Sequence, residues 1–60
     1  MILFYMKAKV SVRVFGISGV SQEGVSALVR AANESMAKHR FEGYCRQKFA
    51  HMEFEGITFE

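Results

Sequence analysis

Met6, Ala8, Val10, Val12 and Val14 alternate with Lys7, Lys9, Ser11 and Arg13. That period of two predicts a strand with one buried and one wet face. The bulky apolar run Met1-Ile2-Leu3-Phe4-Tyr5 suits a sheet and is read as lengthening this strand, from about Ile2 to Phe15, rather than as an extension upstream of Met6. After the loop Gly16-Ile17-Ser18-Gly19-Val20-Ser21, whose glycines can take positive φ, the period lengthens. Val25, Leu28, Val29, Ala32 and Met36 recur at three- and four-residue steps, which predicts a helix from about Gln22 to His39 with one apolar stripe packed on the valine face of the strand. Ser21 is its expected N-cap, Val20 and Val25 its hydrophobic staple, and Lys38-His39-Arg40 an end that agrees with the helix dipole.

Extended, Met6 to Phe15 span about 33 Å, and a helix from Gln22 to His39 spans about 27 Å, so the helix returns the chain to where the strand began. Glu42-Gly43 is the expected turn into a second strand parallel to the first. Tyr44 to Glu60 reads as extended, yet as one strand it would exceed about 50 Å and overrun its neighbour. Its apolar residues also change parity twice. Cys45, Gln47 and Phe49 share one face, Met52 and Phe54 the other, and Ile57 and Phe59 switch back, which predicts a bulge near Ala50 and a turn or bulge at Glu55-Gly56. The expected class is α/β, with α+β as the alternative: a single β-α-β-(β) unit over residues 1–60, one helix packed on a small sheet.

Sixty residues bury only about 60% of the surface exposed by the unfolded chain, so the core is thin. A single cysteine excludes an intrachain disulfide, while half the residues are hydrophobic, with six Phe and four Met. One helix on a narrow sheet covers less apolar surface than this. Self-association through a strand edge or the leftover Phe/Met surface is therefore expected, with a second protomer completing the sheet. The apolar start is too short to span a bilayer and has no leading positive charges, so no membrane is expected, and the reduced cytoplasm is the expected compartment.

The net charge of +2 is modest but unevenly placed, since residues 1–21 hold Lys7, Lys9 and Arg13 and no acid. Tyr44-Cys45-Arg46-Gln47-Lys48-Phe49 interleaves aromatic and basic residues, as sheets do that stack bases on rings and meet phosphates with cations. If the two strands adjoin, Lys7, Lys9, Arg13, Arg46 and Lys48 share the face opposite the helix, and with Tyr44 they are the expected binding residues. A solvated charged face is the plainer reading of the same residues.

No constellation names a reaction. The loop at Gly16–Ser21 offers backbone N–H groups, but it has no lysine and fits neither the P-loop nor the dinucleotide fingerprint. His39, Cys45 and His51 match no common zinc spacing, so no metal or cofactor is expected. His51 with Glu53 reads as a surface pair rather than an acid–base couple, and no serine has a histidine near it in sequence. In topology the chain resembles the short β-α-β subunits of the tautomerase family. That resemblance implies an N-terminal proline as base, and a chain without proline lacks that chemistry. The expectation is a small non-catalytic binding protein, a homodimer that regulates or inhibits a macromolecular partner by docking to it. A protein partner is preferred, a nucleic acid bound on the basic face is the first alternative, and an oligomeric enzyme with an interface site is the second.

Overall fold

A computed structural model describes all of residues 1–60, in the order β1 (Ile2–Arg13), β2 (Ser21–Ala31), α1 (Glu34–Lys48) and β3 (Glu53–Phe59). The three strands form one sheet in the order β2-β1-β3, and both neighbours run antiparallel to β1. β2 and β3 therefore run parallel to each other on either side of β1. The stretch β2-α1-β3 is a β-α-β crossover split by the first strand. The class is α+β, with one helix on a small sheet as expected.

The helix is not where the apolar spacing placed it. Residues 21–31 form an edge strand, and the helix begins only at Glu34. The second strand of the crossover is consequently antiparallel to β1 rather than parallel. β1 and β2 make a hairpin from Ile2 opposite Ala31 to Val12 opposite Ser21. At its tip the Ile17 N–H donates to the Val14 carbonyl at 3.1 Å. Gly16 stands third in this turn at φ +79°, as a type II turn requires. With β2 starting at Ser21, the residue read as a helix cap is the first residue of a strand.

Asn33 is the cap that the helix uses. Its backbone is extended and its Oδ1 accepts from the Met36 N–H at 2.8 Å. Glu34 in the first turn and Arg46 and Lys48 in the last complement the dipole. Ala37, Phe41 and Cys45, four residues apart, form the fully buried stripe. They meet Met6, Ala8, Val10 and Val12 from β1 and Val25 and Ala31 from β2, which completes the core. Val14 lies beyond the strand and is exposed, and Leu28 and Met36 lie outside the core.

β3 pairs with β1 from Phe59 opposite Ala8 to Glu53 opposite Arg13, with a shift between Ser11 and Val12. Ser11 faces Gly56 while Val12 faces Phe54, so Glu55 is an extra, bulged residue. The bulge reconciles the parity of Phe54 with that of Ile57 and Phe59, all three of which pack against the core. The parity change expected at Glu55-Gly56 is this bulge. The change near Ala50 is instead the end of the helix, where the Phe49 N–H donates to the Cys45 carbonyl at 3.1 Å.

Candidate functional site

With α1 on one face of the sheet, the other face is open. Strand alternation assigns Leu3, Tyr5, Lys7, Lys9, Ser11 and Arg13 to it from β1. The register sets Arg30, Leu28, Ser26, Gly24 and Gln22 of β2 beside Leu3 through Ser11. Thr58 and Gly56 of β3 lie across from Lys9 and Ser11.

This face changes character along its length. At one end Leu3, Tyr5 and Leu28 are 57%, 66% and 67% exposed, and Tyr5 stands directly opposite Leu28. In the middle Lys7 and Lys9 are exposed beside the uncharged Ser26 and Gly24, with no ion pair to either lysine. At the far end the charge is answered within the chain. Arg13 lies opposite Glu53, and its Nη2 is 3.5 Å from Oε1 of the bulged Glu55. The arginine's Nε is buried without a partner. Arg13 is thus half-buried and engaged, whereas Lys7 and Lys9 are free.

Tyr44, Arg46 and Lys48 do not join this face. They belong to α1, across the sheet from Lys7 and Lys9, because the run from Gly43 to Phe49 serves the helical spacing of Phe41 and Cys45 rather than a strand. Arg46, though exposed, is engaged within its own chain, its Nε 3.2 Å from Glu42 Oε2 and its guanidinium 4.4 Å from the centre of the Phe54 ring. The six residues read as one binding surface are two groups on opposite sides.

Leu3, Tyr5 and Leu28 were not among the binding residues read from the sequence. The three- and four-residue spacing puts Leu28 on a buried helical stripe. Alternation started from Val25 sets Val25, Ala27, Val29 and Ala31 on one side of β2 and leaves Leu28 with Arg30 on the other.

The surface has no cavity, and no three of the His, Cys, Asp and Glu side chains gather as a metal site would require. His39 and His51 are exposed and Cys45 is buried. Burial pushes the Cys45 thiol above its ordinary value, Glu42 adds to that shift, and Lys48 opposes it. A thiol so placed is protonated and inert at neutral pH. No helix is long and apolar enough to cross a membrane. Neither a family model, a curated protein nor a solved structure matches this chain.

Proposed function

We propose that this chain is a non-catalytic binding protein that docks to a macromolecular partner with the open face of its sheet, and that it self-associates. The observation that carries this reading is the exposed Tyr5–Leu28 pair adjoining the free Lys7 and Lys9. An aromatic and an aliphatic side chain held on a strand pair lose little entropy on binding, and charges beside an apolar patch orient a partner. A protein surface offering an apolar pocket bordered by carboxylates has the complementary chemistry. Occupying such a surface is how a small chain inhibits or regulates its target.

The test is capture of binding proteins from a cell lysate by the wild type and by Leu28→Ser and Lys7→Glu with Lys9→Glu, all at exposed positions. One protein retained in stoichiometric amount by the wild type and lost from both variants supports the reading. A capture indifferent to these substitutions overturns it. The row Tyr5, Lys7, Lys9 also suits a stacked base between phosphates, although one ring and two free cations make a weak platform. Oligonucleotide binding that falls steeply with salt and is lost in Lys7→Glu with Lys9→Glu would assign the face to nucleic acid instead of protein.

A further inference from the structure

β1 has a strand on each side, but the outer edge of β2, like that of β3, pairs with no other strand. The direction of its backbone groups follows from a single bond. The Glu60 N–H donates to the Lys7 carbonyl at 2.9 Å, so Lys7 turns its backbone toward β3, and by alternation Met6, Ala8 and Val10 turn theirs toward β2. Their partners Ala27, Val25 and Glu23 face back at β1. Gln22, Gly24, Ser26, Leu28 and Arg30 therefore direct their N–H and C=O groups outward. Arg40 agrees with this assignment, since its Nη1 reaches over from the helix to the Arg30 carbonyl at 2.7 Å. Natural sheets guard such an edge with proline, a bulge or charge. Here the run Gly24-Val25-Ser26-Ala27-Leu28-Val29 has no proline and no charge.

The geometry points to a second copy of this chain as the occupant of that edge, with β2 pairing antiparallel to its symmetry mate about a two-fold axis at Ser26. This deepens the self-association proposed above and does not depend on what the open face binds. Three observations favour a second copy. Ser26 is the midpoint of Ser21–Ala31, so a two-fold there matches every outward-facing residue with another: Gln22 with Arg30 of the mate, Gly24 with Leu28, Ser26 with Ser26.

The charges are also complementary only in this direction. Glu23 is exposed near the start of β2 and makes no ion pair within its own chain, while Arg30 and the overhanging Arg40 stand at the other end. Antiparallel self-pairing carries Glu23 to the Arg40 of the mate. Parallel pairing would set acid beside acid and base beside base.

The flank of the helix above this edge is equally ready. Lys38 and Arg46 mark the side of α1 toward β3, by their contacts with the rings of Phe59 and Phe54. At 100° per residue the opposite flank carries Met36, Arg40, Gly43 and Tyr44. Met36 and Tyr44 are large apolar residues left exposed, and a side chain at Gly43 would meet nothing within 4 Å. The helix packs on β2 and β1, and strands lie about 4.8 Å apart, so the two helices of the pair would stand about 10 Å apart, the distance at which helices pack. Six strands would then form one continuous sheet with both helices on one side.

Sedimentation and light scattering across concentration test the pairing. The wild type is expected at twice 6.8 kDa. Glu23→Arg alone and Arg40→Glu alone, both at exposed positions, are expected to raise the dimer dissociation constant about tenfold or more. Mixed one to one, they should restore the dimer, because the heterodimer has two opposed charge pairs where each homodimer has two like ones. Ser26→Pro removes an outward N–H, and Gly43→Lys adds bulk and charge to the helix flank. Each should give a monomer with unchanged circular dichroism. A wild type that stays monomeric at millimolar concentration overturns the proposal. So does a mixture that remains monomeric, or a dimer that survives both Ser26→Pro and Gly43→Lys.

Discussion

Phe41→Ala should remove a large share of this molecule's stability. Phe41 is the largest side chain fully buried in this molecule and the only fully buried aromatic one. Its ring lies 6.0 Å from Phe59 and 6.3 Å from Tyr44, joining the helix to β3. Removing it forfeits the transfer free energy of the ring, and the cavity cannot collapse easily because the core it shares includes the stiff, β-branched Val10, Val12 and Val25 of the sheet. Such substitutions cost about 3–5 kcal/mol. At about 0.05–0.15 kcal/mol per residue a chain of this length has roughly 3–9 kcal/mol in all, so the loss is comparable with the whole. Phe41→Leu keeps most of the volume and should cost about 1–1.5 kcal/mol. Urea titration followed by circular dichroism reads both. A loss below about 1 kcal/mol for Phe41→Ala, with an unchanged slope, would refute the assignment of the helix and of its buried stripe.

Asn33→Ala removes the only side-chain cap of α1 and should cost about 1 kcal/mol in the same titration. Gly16→Ala, forced to φ +79°, should cost about 1–2 kcal/mol. Gly43→Ala, in an open helical position, should instead gain about 0.5–1 kcal/mol. The raised Cys45 thiol makes stability fall in alkali. The unfolded chain loses this proton from about its ordinary value of 9.0, while the folded chain holds it to higher pH, so the contribution is complete below that value and is lost above it. The slope between the two values is at most about 1.4 kcal/mol per pH unit, and Cys45→Ala should lack it when unfolding free energies are compared from pH 8 to 11.

The central strand was legible because its two faces differ sharply, lysine and arginine against methionine and valine. The bulge was legible because Phe54 and Ile57 are both bulky and cannot share a face without an extra residue between them. β2 misled for a physical reason. Val25, Ala27, Val29 and Ala31 do alternate, but alanine is weakly apolar and Leu28 breaks the polar side, so the same letters also fit a helical stripe. A helix from Gln22 to His39 hides Asn33 inside it, leaves Phe41 beyond its end and puts Cys45 in an extended segment. The expected grouping of the charged residues carries the same error. Lys7 and Lys9 were placed correctly, but Arg46 and Lys48 went with their segment to the wrong side of the sheet. The apolar half of the face, Leu3, Tyr5 and Leu28, becomes visible only when β2 is known to be a strand.

The bulged Glu55, 3.5 Å from Arg13, gives β3 one residue of slack. Losing that residue would bring Phe54 and Gly56 into consecutive pairing with Val12 and Ser11, leaving Phe54, Ile57 and Phe59 still turned to the helix. Losing Ile57 or Thr58 instead would carry one of those rings out to solvent. Length changes of a single residue in this strand are therefore not equivalent. The segment has one position where the chain can shorten without repacking its core, and a shorter form would change the exposed surface beside Arg13, which would lose its ion pair.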